Sequence, residues 1–262
     1  MQITMREVGS RRLRVGVRPG DLSRPPLLLF NGIGANIELL EPLLDALEGP
    51  EAIVFDVPGV GGSPVPALPY RPWMLARLTA RLLDQLGHQR VDVLGVSWGG
   101  ALAQQFAFQH AARCRRLVLA ATSPGHLMVP GKLGVLLKMA SPRRYKDAEY
   151  MHRIAGDIYG GALRRSPELA RLHLRHVRWS SDYGYYLQLL AGVGWTSLPW
   201  LPLLPQPTLV MSGADDPLVP VANARILARL IPDTRLVSID DGHLFLVTSA
   251  GESARIIAEF LR

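Results

Sequence analysis

The sequence predicts an α/β protein, with a mostly parallel sheet, helices on both faces and an inserted helical cap. Three observations carry this expectation. Short apolar runs alternate with helical periodicities from Leu27 to Ala120, and again from Thr208 onward. Between about Pro124 and Pro207 the alternation breaks, leaving helical patches rich in Arg, Leu, Met, Tyr and Trp. At the centre, Val91-Asp-Val-Leu-Gly-Val-Ser-Trp-Gly-Gly100 sets Ser97 in a Gly-x-Ser-x-Gly pattern between a strand and a helix. That is the context of a nucleophile elbow, whose tight backbone needs small residues two before and two after the serine.

In chain order, Arg12 to Arg18 alternates as an early strand, and Leu27 to Phe30 is a continuous apolar run, as in a strand covered on both faces. The turn Asn31-Gly-Ile-Gly-Ala-Asn36 leads to a helical stretch from about Glu38 to Leu47. Ala52 to Phe55 is the next strand, closed by Asp56-Val-Pro-Gly-Val-Gly-Gly-Ser63, a loop with no G-x-G-x-x-G pattern and therefore read as structural. Helical periodicity over Trp73 to Leu86 precedes the elbow strand, and Leu117 to Ala120 is the strand after it. The pattern resumes at Thr208 to Ser212, with a helix over Val221 to Leu230, a strand over Arg235 to Ile239 and a last helix from about Ser253. Right-handed βαβ crossovers follow from this order. The expected division is a core of residues 1–123 and 208–262, with a cap of residues 124–207.

The content is 48% hydrophobic and 19% charged, that of a globular chain rather than a disordered one. Cys114 is the single cysteine, so no internal disulfide and no cysteine-held zinc site can form. No His or carboxylate spacing suggests a catalytic metal, and no cofactor is expected. The N-terminus lacks a basic flank followed by an apolar core, so no secretory leader is expected. Pro199, Pro202, Pro205 and Pro207 break the most apolar stretch and argue against a transmembrane segment. The net charge of +7 is concentrated between Arg113 and Arg178, where 14 Lys and Arg face four acidic residues. Without a nucleic-acid-binding pattern, no nucleic-acid partner is expected, and the run reads as a solvated face or a contact to some anionic surface.

A serine hydroxyl becomes a nucleophile when a base takes its proton, and the base needs a group to orient it. In an elbow architecture the acid follows a later strand and the histidine comes near the end. Asp216, in Gly213-Ala-Asp-Asp-Pro217, and His243, in Asp240-Asp-Gly-His243, fill those places. Each of the three ends an expected parallel strand, where open α/β sheets put their sites. Asp215 stays open as the alternative acid, while His126, His173 and His176 fall in the expected cap. The oxyanion donors are expected to be the amides of Trp98 and Ile33, Gly32 and Gly34 allowing a close backbone approach. Asn31, Gly32 and Trp195 are the expected substrate contacts, with Trp195, Trp200 and Tyr185 either lining an apolar tunnel or packing the cap.

A resemblance rests on Phe30-Asn-Gly-Ile-Gly-Ala-Asn36, Phe55-Asp-Val-Pro-Gly-Val-Gly-Gly-Ser63, Leu94-Gly-Val-Ser-Trp-Gly-Gly-Ala-Leu-Ala-Gln-Gln-Phe106, Met128-Val-Pro-Gly-Lys132, Ala140-Ser-Pro-Arg-Arg-Tyr145, Ile158-Tyr-Gly-Gly161, Gly184-Tyr-Tyr186, Gly194-Trp-Thr-Ser197 and Asp241-Gly-His-Leu-Phe245. Through these the chain resembles the α/β-hydrolases, and more narrowly the intracellular depolymerases of medium-chain-length polyhydroxyalkanoates. The elbow and the His loop are common to many serine hydrolases; Trp98, the asparagine-led turn and the cap stretches are more particular. The resemblance implies that Ser97, Asp216 and His243 attack the ester bonds of a stored hydrophobic polyester on cytoplasmic granules, beneath a cap that opens. Granule contact through a C-terminal tail is not carried over, because the chain ends at Arg262, directly after the last helix. A small-ester or lactone esterase, a carbon–carbon bond hydrolase and a non-catalytic granule-coating protein remain alternatives, whereas Ser rather than Asp at the elbow disfavours dehalogenase chemistry.

Overall fold

A computed structural model describes residues 1–166, 168–170 and 176–262, so His173 lies outside the described residues. Eight strands form one sheet in the order β1-β2-β4-β3-β5-β6-β7-β8. They are β1 Gln2–Val8, β2 Arg11–Arg18, β3 Leu27–Phe30, β4 Ala52–Phe55, β5 Val91–Val96, β6 Cys114–Ala120, β7 Thr208–Gly213 and β8 Thr234–Ile239. β1 and β2 pair antiparallel, β2 joins β4 antiparallel, and the remaining pairings are parallel. The chain reverses direction across the sheet between β3 and β5, which puts the end of β5 at a topological switch point.

The continuous apolar runs have the expected cause. Leu28 and Phe30 of β3 pack on one face with helices α2 (Pro72–Gln85), α3 (Trp98–Gln109) and α9 (Val221–Leu230). Leu27 and Leu29 pack on the other, with α1 (Glu41–Ala46), α10 (Phe245–Thr248) and α11 (Ala250–Phe260). Both faces being dry, successive positions in such a strand are apolar. β1 is different: it is an edge strand with nearly every side chain exposed, so no buried face wrote an apolar signal into its sequence. The stretch expected as one helix from Glu38 to Leu47 instead begins as a 3-10 turn, Ile37–Leu40, and becomes α-helical at Glu41, with Pro42 in the first turn.

Between β6 and β7 the described chain carries helices α4 (Leu133–Met139), α5 (Arg143–Lys146), α6 (Ala148–Tyr159), α7 (Gly161–Arg165) and α8 (Asp182–Gly192). Asp147 caps α6 by accepting from the Tyr150 amide at 2.8 Å, and Ser181 caps α8 from the Gly184 amide at 3.2 Å. Met139, Met151, Ile154, Ile158, Tyr159 and Leu163 make this segment's own core, against which Ile33 and Leu244 of the sheet domain rest.

A buried charge cluster ties the 56–63 loop to this layer. The Asp56 carboxylate accepts from the Ile37 and Gly62 amides, each at 2.8 Å, and from Arg14 at 3.0 Å. Arg14 also pairs with Glu38, which in turn accepts from Asn36 at 2.6 Å. The Asn36 side chain reaches the backbone of His176 and Arg178 at 2.8 and 2.9 Å. Burial alone would raise the Glu38 carboxyl, but the Arg14 and Asn36 hydrogen bonds outweigh it and bring it down from 4.5 to about 2. A depressed carboxyl stabilises the fold fully above its unfolded value and loses that contribution as pH falls toward the folded one. Urea unfolding from pH 6 down to 2 should therefore show stability falling between about 4.5 and 2, and Glu38→Gln should flatten that part of the profile.

Candidate active site

The site is assembled at the C-terminal ends of β5, β7 and β8. Ser97 follows β5 with φ 55° and ψ −120°. The tight fit around it explains the residue types of the motif. A Cβ on Gly95 would lie 2.4 Å from the Gly99 carbonyl oxygen, and one on Gly99 would lie 2.2 Å from that of Phe30. Thr122 secures the turn by donating its hydroxyl to the Ser97 carbonyl at 2.7 Å.

His243 Nε2 lies 3.0 Å from Ser97 Oγ, and His243 Nδ1 lies 2.7 Å from Asp216 Oδ2. Asp216 is buried, and its other oxygen accepts from the Leu218 and Val219 amides at 2.9 and 2.8 Å. With Oδ1 held by two amides, this carboxylate presents Oδ2 to the imidazole in a fixed orientation. Of the two neighbouring aspartates it is Asp216 that faces the histidine. Asp215 turns outward to Arg164 and accepts from the Gly161 amide at 2.8 Å. Its carboxyl lies below the usual range, because those hydrogen bonds and the Arg164 charge outweigh its slight burial.

The amides expected to hold an oxyanion come from α3 and from the turn after β3. Trp98 opens α3, and among the described residues no acceptor is recorded for its amide or for that of Ile33. The turn carrying Ile33 is braced internally by Asn31, whose side chain donates to the Asn36 carbonyl at 2.7 Å and accepts from the Gly32 amide at 2.8 Å. Two residues that sequence reasoning missed hold it from above. Gln188 of α8 accepts from the Gly34 amide at 2.7 Å, while its backbone carbonyl takes the Trp98 indole N–H at 3.0 Å. Tyr145 donates its phenol to the Ile33 carbonyl at 2.7 Å.

The His243 loop is held in the same way. The Asp241 carboxylate accepts from the amides of Ala162 and Gly242, each at 2.7 Å, and from the hydroxyls of Thr248 and Ser249. Burial would raise this carboxyl, but the four hydrogen bonds pull it below the usual range. The His243 amide donates to the Tyr159 carbonyl at 2.7 Å, and the Tyr159 ring stacks on the imidazole at 6.1 Å between centroids. Gln188 carries no motif, and Asp241, Tyr159 and Tyr145, although they fall in stretches that carry the resemblance, have no role that the sequence assigns; all four owe their places to contacts between chain segments far apart in sequence.

Ser97, Ile33 and Trp98 open onto a cavity of about 510 Å³, lined mainly by apolar side chains including Leu102, Met128, Leu136 and Trp195. Asn31 and Gly32 border a second, smaller pocket on the His243 side. Of the three aromatics expected either at the tunnel or in packing, Trp195 lines the large cavity, donating its indole N–H to Gln105 at 2.8 Å. Trp200 stacks on Phe108, and Tyr185 is buried with its hydroxyl on the Met139 carbonyl, so both pack. His126 lines the large cavity, whereas the carbonyl of His176 is held by Asn36. Among the described residues no cluster of His, Cys, Asp and Glu could hold a metal ion, and no helix is long and apolar enough to cross a membrane.

Residues 25–250 match the model of the alpha/beta hydrolase fold family. The chain belongs to the α/β-hydrolases. Within curated relatives of this α/β-hydrolase, a poly(3-hydroxyalkanoate) depolymerase from Ectopseudomonas oleovorans is 56% identical over 257 residues, covering 98% of this chain and 91% of its own length. A pimeloyl-[acyl-carrier protein] methyl ester esterase from Aromatoleum aromaticum is 30% identical, covering 92% and 100%. Among solved structures, the enol-lactonase from Burkholderia xenovorans LB400 superposes with a TM-score of 0.84 at 23% identity, covering 98% of this α/β-hydrolase and 99% of the lactonase.

The two aspartates are separable by experiment. Asp216→Asn should lower kcat for ester hydrolysis by on the order of 10⁴-fold, through loss of the tautomer that leaves Nε2 free to accept. Asp215→Asn should stay within about tenfold, since its partners are Arg164 and Gly161.

Proposed function

We propose that this chain hydrolyses the ester bonds of medium-chain-length poly(3-hydroxyalkanoate), releasing 3-hydroxyalkanoic acids or oligomers through an acyl-enzyme on Ser97. The observation that carries the reading is the hydrogen-bonded series Ser97, His243, Asp216, whose serine lines a 510 Å³ apolar cavity. The depolymerase at 56% identity supports the substrate class.

His243 Nε2 takes the Ser97 proton as Oγ attacks the ester carbonyl. The amides of Trp98 and Ile33 receive the negative oxygen of the tetrahedral intermediate, and Asp216 stabilises the imidazolium. His243 passes the proton to the departing 3-hydroxyl, and water repeats the sequence to free the acid. The apolar cavity takes the alkyl side chains, with Trp195 as a contact, while Asn31 and Gly32 border the scissile region. Residues 124–207 act as the cap that roofs the cavity and admits the polymer. The work takes place on cytoplasmic polyester granules and needs no cofactor.

Amorphous latex of poly(3-hydroxyoctanoate) should be degraded to 3-hydroxyoctanoate or its short oligomers, measured by chromatography of the products. Ser97→Ala should lower that rate by on the order of 10⁴- to 10⁶-fold and abolish labelling by a fluorophosphonate probe. A Ser97→Ala variant within tenfold of native activity would refute the nucleophile. Cleavage of p-nitrophenyl octanoate with latex left untouched would reassign the chain to the small-ester esterases.

A further inference from the structure

The side chain of Arg144 is fully buried beside the reacting groups, yet only one of its three nitrogens is engaged. Nη1 donates to the Tyr185 hydroxyl at 2.7 Å and to the Ser141 carbonyl at 3.3 Å. Among the described residues Nε and Nη2 have no hydrogen-bond partner of good geometry, the neutral Tyr159 phenol is the further group that interacts with the guanidinium, and no carboxylate pairs with it. Its faces are covered by aromatic rings, Tyr145 at 4.4 Å and Tyr185 at 5.3 Å from the guanidinium carbon. A guanidinium is a fixed cation with five donors matched to a carboxylate. Burying it among neutral groups with donors unused is costly, unless something anionic arrives there in the working enzyme.

Arg144 lines the smaller pocket together with Ser97, His243, Tyr159 and Leu244. The pocket measures about 60 Å³, room for roughly four to six water-sized groups. It lies on the imidazole side of the nucleophile. The leaving oxygen must also lie there, because His243 Nε2 hands it the proton. In a poly(3-hydroxyalkanoate) cut at its last ester bond, the leaving unit is a 3-hydroxy acid with its carboxylate three covalent bonds beyond the leaving oxygen. A terminal CH2–COO⁻ matches the small pocket in size and the guanidinium, with its buried unpaired Nε and Nη2, in charge. A continuing polyester chain does not fit so small a space and brings no anion.

We propose that Arg144 is a binding site for the chain-terminal carboxylate, which makes the enzyme cut from the carboxyl end one residue at a time. This rests on the depolymerase reading given above. The terminal carboxylate pairs with Nε and Nη2, Ser97 acylates on the penultimate carbonyl, and the terminal 3-hydroxy acid leaves with the proton from His243. Water then frees the shortened chain, whose new carboxylate can occupy the same place. The rest of the polymer lies in the large apolar cavity.

The test compares two synthetic 3-hydroxyoctanoate trimers, one ending in a free carboxylate and one in a carboxamide. Native enzyme should favour the free acid by about tenfold to a hundredfold in kcat/KM, expressed mainly in KM, and its first product should be the carboxyl-terminal unit. Arg144→Met should bring the preference close to one, and Arg144→Lys should restore part of it. Equal turnover of both trimers by native enzyme overturns the proposal without needing any variant. So does an Arg144→Met enzyme that is slower on both trimers with the preference intact, the signature of a purely structural arginine. Failure of the depolymerase reading looks different: neither trimer is cleaved while p-nitrophenyl octanoate is.

Discussion

At Ser97 the backbone takes a left-handed turn that a residue with a side chain adopts at a cost of about 1–3 kcal/mol. It persists because the strand before it and the helix after it leave no alternative. Gly95 and Gly99 let β5, α3 and the end of β3 approach one another more closely than any Cβ would allow, and the buried sheet behind them fixes that approach. The hydroxyl is thereby presented at the switch point of the sheet, in line with the amides at the start of α3. Every other group in the site has to come to this point.

They come by two routes. Asp216 and His243 are carried by the ends of β7 and β8, whose parallel pairing sets their height above the sheet. The turn carrying Ile33 and the His243 loop are completed by the segment between β6 and β7. Gln188 and Tyr145 grip one, while Tyr159 and Ala162 grip the other. The segment between β6 and β7 thus braces both loops, and a substitution in α6 or α8 can disturb the site without touching its cavity.

What the sequence discloses follows from how local each determinant is. β3, β4, β5, β6 and β7 are legible because both their faces are dry and the residues record it; β1, an exposed edge, leaves no such record. The elbow is legible because its steric demands fall within five residues. The choice between Asp215 and Asp216 is not, since adjacent residues on a turn point in different directions and only the position of the imidazole distinguishes them. Gln188, Asp241 and Arg144 are silent for a related reason: a glutamine in a helix, a second aspartate before a glycine and an arginine in a basic run acquire meaning only from chain segments that fold against them.

The corner between α6 and α7 has a mechanical consequence. Tyr159 holds the His243 amide, and Gly160, Gly161 and Gly242 meet backbone to backbone so tightly that a Cβ on any of them would lie 1.9 Å from a neighbouring main-chain atom. Lifting that corner would carry the imidazole away from the serine. The end of this segment at α6 and α7 is therefore fixed to the His243 loop, while Met128, Leu136 and Trp195 border the large cavity. A side chain introduced at any of these glycines would thus reach the imidazole through the backbone that carries it.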